Sequence, residues 1–219
     1  TPKSSVMVGR MTASNYRLVE VPTASLRAAA KAAGGRLNDS FLAGKEVRAL
    51  MRGIDIEPDL SGHLFPHQRD VVSFLLKAGR GAAFLDTGMG KTAVELEYGR
   101  QVVEMENRPV LLLAPLAVGK QHEREAERFH TDAKVIRDPS EINGARIYIT
   151  NYERLHLFDS GDFAGVILDE SSIVKSFTGK TTRALIDFAQ DMRWRLAAPA
   201  TPAPNDHMEL GQHSQFLSV

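Results

Sequence analysis

Cysteine is absent from the 219 residues of this chain, so disulfides and thiolate metal sites are both excluded. That composition fits a reducing compartment, and the expected location is the cytoplasm. Long apolar runs are missing as well. The longest, Val110 to Val118, is strand-sized and far short of the ~20 residues that a membrane helix needs. The opening residues, Thr1-Pro-Lys-Ser-Ser, have neither a starting Met nor the apolar core of a signal peptide. Charge of one sign is lacking too, since 27 Lys and Arg stand against 27 Asp and Glu. A strong non-specific binder of nucleic acid is usually visibly basic, so composition by itself does not suggest one. The seven histidines show no metal-ligand spacing of the H-E-x-x-H kind. The one tryptophan, Trp194, lies in a strand-like segment where packing explains it better than base stacking.

What is present falls into two parts. Residues 1–60 read as a small N-terminal accessory segment of α+β character. It has a strand candidate at Tyr16–Val21, a helix over Ala24–Ala33 stopped by Gly34-Gly35, and a second short helix over Lys45–Arg52. Asp55 to Gly62 has the composition of a linker. Residues 61–219 alternate short apolar runs with helix-like segments. The runs are Ala82–Asp86, Val110–Ala114, Ala145–Thr150, Gly165–Asp169 and Arg193–Ala198; the helical segments are Thr92–Met105, Gly119–Phe129 and Thr181–Gln190. That alternation predicts an α/β fold, a parallel sheet covered by helices on both faces, with the ligand at the carboxyl ends of the strands.

Ala82-Ala-Phe-Leu-Asp-Thr-Gly-Met-Gly-Lys-Thr92 is an apolar run that enters a glycine turn and then a helix. Gly88 and Gly90 let backbone N–H groups converge on phosphate oxygens, and the helix start adds its positive dipole end. Thr87 and Met89 complete the loop, Lys91 reaches the terminal phosphates, and the Thr92 hydroxyl can ligate Mg²⁺. The full phosphate-loop pattern would place a glycine where Leu85 stands. Some 80 residues downstream, Val166-Ile-Leu-Asp-Glu170 ends an apolar strand in two carboxylates. Paired acids at a buried strand end are costly unless a cation holds them. Asp169 fits the Mg²⁺ hydration shell, and Glu170 fits the base that deprotonates an attacking water.

In this order the motifs resemble helicase superfamily two, and within it the Swi/Snf-like (DEAD/DEAH-type) branch, over roughly residues 63–219. The segments that carry the resemblance are Leu64-Phe-Pro-His-Gln-Arg69, Leu112-Leu-Ala-Pro-Leu-Ala-Val118 with Gln121-His-Glu-Arg-Glu125, Ile149-Thr-Asn-Tyr-Glu-Arg154, Asp169-Glu-Ser-Ser-Ile-Val-Lys175 and Arg195-Leu-Ala-Ala-Pro-Ala-Thr-Pro-Ala-Pro-Asn205. The phage-encoded members are the nearest in impression, which places the protein in a bacterial or phage-infected cell.

The resemblance implies a RecA-like first lobe of a P-loop NTPase, with ATP and Mg²⁺ as cofactors and nucleic acid, DNA ahead of RNA, as partner. It implies adenine recognition by Gln68 and catalysis by Lys91, Asp169 and Glu170. It also implies nucleic-acid contact or coupling at Pro115, Thr150, Tyr152, Lys175 and Thr201. Three departures stand out: His122 where the family usually has Trp, Ser171-Ser172 for Ala-His, and Pro199-Ala200 for Thr-Gly. Family members stack a second RecA-like lobe on the first, and the chain has no room for one of ~150 residues after the last motif. The expectation is therefore Mg-nucleotide binding with slow hydrolysis by this chain alone. A non-hydrolysing nucleotide or nucleic-acid binding module stands as the alternative. A small-molecule P-loop kinase would leave Thr150-Asn-Tyr-Glu153 and Pro199-Ala-Thr-Pro202 unexplained.

Overall fold

The computed structural model describes residues 5–12, 15–22, 53–55, 57–85, 88–169, 179–198 and 216–217. The chain divides into two compact units, Thr1–Leu50 and Met51–Val219. In the first unit, β1 (Ser5–Thr12) and β2 (Asn15–Pro22) form an antiparallel hairpin whose register pairs Ser5 with Pro22 and Thr12 with Asn15. β2 contains the expected strand, while its partner β1 was not anticipated. Both helices expected after Pro22 lie outside the described residues.

In the second unit, four runs are buried at every position: Val110–Leu113, Ile147–Thr150, Gly165–Asp169 and Trp194–Ala198. A strand with no solvent face needs cover on both sides, which is the condition of an inner strand in a parallel sheet. The sheet contains β3 (Arg80–Ala82), β4 (Val110–Leu113), β5 (Ala133–Val135), β6 (Ile147–Thr150), β7 (Gly165–Asp169) and β8 (Trp194–Ala198). Its order is β3-β8-β7-β4-β6-β5, and every neighbouring pair is parallel. The four fully buried runs are the four inner strands.

The two edges are where sequence and structure part. β3 ends at Ala82, earlier than expected. Its ladder to β8 finishes with the Ala83 N–H donating to the Ala197 carbonyl at 2.8 Å, and the chain then leaves for the glycine turn. β5, three half-buried residues, is too short to show a period and was not foreseen.

Helix α1 (Pro66–Ala78) starts with Pro at its first position, where a missing N–H costs nothing. It stops at Gly79, which has φ 74° and donates its N–H back to the Leu75 carbonyl at 2.8 Å. Helix α2 (Lys91–Glu106) touches α1 on one side and α3 (Gly119–Arg128) on the other, and lies against β4, β6, β7 and β8. The opposite face of the sheet packs Leu111, Leu113, Val166, Leu168 and Ala197 against Leu185 and Ala189 of α4 (Gly179–Ala189) and against Phe216 and Leu217.

The stretch with linker composition is fastened to this unit. The Ile54 N–H reaches the Leu76 carbonyl at 3.0 Å, the Gln101 amide donates to the Asp59 carbonyl at 2.6 Å, and the Ser61 N–H donates to Glu97 at 3.1 Å. Burial pushes the Glu97 carboxyl up, but the Arg100 guanidinium, the Ser61 N–H and the Gln101 amide outweigh it and hold the group below its ordinary range. Polar composition thus marked a segment docked through its backbone, which a pattern of side chains does not reveal.

Trp194 is buried, donates its indole N–H to Glu106 at 2.7 Å and meets Tyr98 edge-on, so its role is packing. Close approach of α2 to the sheet depends on Gly99. A Cβ there would lie 2.7 Å from Ile147 Cδ1 and 3.2 Å from Ile167 Cδ1. Gly99→Val is expected to overpack this contact and lower stability by about 1–3 kcal/mol, read from the denaturant midpoint at unchanged slope.

Candidate nucleotide site

Gly88 (φ 86°) and Gly90 (φ 76°) both adopt the left-handed backbone that side chains resist, and together they turn the chain into α2. Gly90 is the residue from which α2 starts: its carbonyl accepts from Ala93 and Val94, so Lys91 and Thr92 occupy the first turn. A Cβ on Gly88 would meet nothing within 4 Å, which leaves an open cradle over the helix start. At Gly90 the situation is opposite, because a Cβ would fall 2.1 Å from the Gln68 amide nitrogen. Gln68 is buried, accepts from the Phe65 N–H at 3.0 Å and donates to the Met89 carbonyl at 3.1 Å. It therefore clamps the glycine turn to the first turn of α1, and His67 adds a contact to the same carbonyl at 3.2 Å.

β7 delivers Asp169 beside β8, in register with Ala198. The Tyr152 hydroxyl donates to the Asp169 backbone carbonyl at 2.6 Å and fixes the strand end. The Asp169 carboxylate faces a histidine: Oδ2 lies 3.3 Å from His122 Nε2, and the same nitrogen lies 3.2 Å from Glu95 Oε2. Glu95 is fully buried on α2, one turn beyond Lys91. Burial pushes the Glu95 carboxyl up, against the lowering effect of His122 and Lys91. Burial pulls the His122 imidazolium down, but its hydrogen bond to Glu95 and the charges of Glu95 and Asp169 prevail and push it up to about 9. One oxygen each from Glu95 and Asp169 and the His122 nitrogen lie within 4.8 Å of one another.

The cradle and donor set suit a magnesium-bound polyphosphate. The residues offer an open glycine turn at a helix N-terminus, a lysine, a hydroxyl at Thr92 and a carboxylate at Asp169, which are the hard oxygen donors and the cation that such a ligand requires.

The structure gathers Gln68, Gly88, Met89, Gly90, Lys91 and Thr92 at the entry to α2. Thr87, Glu170, Lys175 and Thr201 lie outside the described residues. Pro115 sits half-buried just past β4, beside the exposed Leu116. Thr150 and Tyr152 are 4% and 3% exposed, inside the molecule at and just past the end of β6. Sequence reasoning missed Glu95 and the service of His122. The available signal was an acid in the buried-face run Ala93-Val-Glu-Leu96, which has no outlet to solvent on a helix packed on both flanks.

No protein-family model matches the chain. It is 30% identical over 177 residues to putative protein p41 of Acyrthosiphon pisum secondary endosymbiont phage 1, covering 69% of this chain and 38% of that protein. It is 27% identical over 188 residues to the DNA annealing helicase and endonuclease ZRANB3 of Mus musculus, covering 75% of this chain and 17% of the relative. Among solved structures, the Sulfolobus solfataricus SWI2/SNF2 ATPase core in complex with dsDNA superposes with a TM-score of 0.61 at 25% identity, over 74% of this chain and 37% of that one. The chain spans well under half the length of the relatives it matches.

The histidine makes stability depend on pH. With its folded pKa raised, His122 contributes stability that is complete below the unfolded value of about 6.5 and is lost as pH rises through about 9. The melting temperature is expected to fall between pH 7 and 9.5, and the double variant Glu95→Gln/His122→Asn, which removes both raised groups, to flatten that decline; an equal slope in the double variant counts against the assignment.

Proposed function

This chain is a first RecA-like lobe of the Swi/Snf-like branch of helicase superfamily two, and we propose that it binds Mg-ATP and serves as the nucleotide-binding half of a nucleic-acid-dependent ATPase. One observation carries the reading: two left-handed glycines, clamped by Gln68, deliver Lys91 and Thr92 to the same edge of the sheet as Asp169. The loop's N–H groups and Lys91 would bind and orient the phosphates, Thr92 and Asp169 would hold the metal, and Gln68, which clamps the loop through Met89, is the residue proposed to read the adenine. Bound Mg²⁺ would supply neutralisation of the charge that builds up on the phosphates. Glu170, next after Asp169, takes a proton from the attacking water at its carboxylate.

The partner is nucleic acid, with DNA favoured by the names of ZRANB3 and of the Sulfolobus core. Pro115, Lys175 and Thr201 are the positions proposed to meet it or to couple with it, and Thr150 and Tyr152 to transmit the coupling. Efficient turnover needs cationic groups presented across the nucleotide, which a second RecA-like lobe supplies; an arginine finger of this kind is worth about 10³–10⁵ in rate. The phage relative supports a place in the cytoplasm of a bacterial or phage-infected cell.

The deciding experiment is steady-state ATP turnover by this chain, alone and with duplex DNA, single-stranded DNA or RNA. Stimulation by one of them identifies the substrate. Tight Mg-ATP binding with no turnover under any condition favours a non-hydrolysing binding module instead. Lys91→Ala is expected to weaken Mg-ATP binding at least tenfold, and unchanged affinity in the folded variant overturns the loop assignment. Glu170→Gln is expected to keep nucleotide affinity and remove hydrolysis, so normal turnover rules Glu170 out as the base.

A further inference from the structure

His122 belongs to no part of the nucleotide site as described so far, yet it joins three of its elements. Its Nδ1 lies 3.1 Å from the Val118 carbonyl, where α3 begins. A carbonyl only accepts, so Nδ1 carries a proton. Its Nε2 lies 3.2 Å from Glu95 on α2 and 3.3 Å from Asp169 at the end of β7, and both of these are carboxylate oxygens. The ring is therefore anchored at one end to backbone and held at the other between two acids.

We propose that His122, held by Glu95, is a positioning residue that sets the orientation of the Asp169 carboxylate at the metal, an inference that rests on the Mg-nucleotide reading above. Three observations carry it. First, Tyr152 fixes the backbone of Asp169 but not its side-chain angle, and the contact from Oδ2 to His122 bears on that angle directly. Second, Glu95 has no solvent exposure, and its Oε1 makes no hydrogen bond among the described residues. Oε2 on His122 is thus the contact that its burial serves. Third, Glu95 stands on the helix that begins with Lys91 and Thr92, so the Glu95–His122–Asp169 chain of contacts ties the phosphate-binding helix to the acid strand across 3.2 and 3.3 Å steps.

Burying an imidazole between two carboxylates contributes little net stability compared with apolar side chains of the same volume. What such an arrangement supplies is direction. Outer partners of this kind orient a metal-binding carboxylate, and their loss typically weakens metal affinity by about 10–100-fold.

The test separates metal from nucleotide. A fluorescent ATP analogue is titrated into the chain in EDTA, and then Mg²⁺ is titrated at fixed nucleotide. His122→Phe is expected to raise the Mg²⁺ concentration for half-saturation about tenfold or more while nucleotide affinity in EDTA stays within about twofold. His122→Gln, whose amide still donates toward Asp169, is expected to recover most of the loss. Since His122→Phe leaves Glu95 buried without its partner, the double variant Glu95→Leu/His122→Phe is measured beside it, with far-UV circular dichroism as the check on folding. Mg²⁺ half-saturation that is unchanged or tighter in the folded variants overturns this proposal and leaves the nucleotide reading standing. Nucleotide binding by the unsubstituted chain that gains nothing from Mg²⁺ removes the nucleotide reading, and this proposal with it.

Discussion

In a parallel sheet all strands end on the same edge, and the functional half of this molecule depends on that constraint. β3 leads into the glycine turn at one side of the sheet, β7 ends in Asp169 two strands away, and β8 lies between them. Residues some eighty positions apart in the chain therefore face one rim without any loop having to be long. The constraint also explains the composition of the strands. Inner strands have no solvent face, so Val110–Leu113 is apolar throughout and Gly165–Asp169 is apolar up to its last residue, where the polar chemistry sits.

Helix α2 carries two roles that conflict. In the proposed function its first turn presents N–H groups, Lys91 and Thr92 to a polyanion, while its body fills the middle of one face of the sheet. Gly99 lets the body come close, with the ends of Ile147 and Ile167 occupying the space a side chain would need. Two acids in the same body, Glu95 and Glu97, are buried because each has donors waiting. Glu97 meets the Ser61 N–H, Arg100 and Gln101, and Glu95 meets His122. The first set ties down residues 59–61, and the second faces the end of β7.

Much of this was legible in the sequence, for local reasons. A glycine turn between an apolar run and a helix is a short-range signal, so Gly88, Gly90, Lys91 and Thr92 announced themselves, and the strand ending in Asp169 did likewise. The inner strands were located to within two residues because burial on both faces leaves an unbroken apolar run. The edges were not: β5 is too short to have a period, and β3 pairs on one side with β8 alone. Gln68 was read from the sequence as an adenine contact, and its clamp on the Met89 carbonyl was not foreseen, since that contact spans 21 positions. His122 stood out only as a departure from the family's usual tryptophan, and its spacing to other ligating residues suggested nothing.

By itself, then, the sequence determined the layered α/β architecture, the glycine turn before α2 and the acid at the strand end, because each is written in neighbouring residues whose periodicity and backbone preferences act locally. Only the tertiary structure decided which buried charges meet. Glu95, His122 and Asp169 come from three separate elements, and nothing along the chain links them. Their meeting depends on the lateral placement of α2 and α3 over β7. Side-chain packing sets that placement to within a few tenths of an ångström, and no local propensity encodes it.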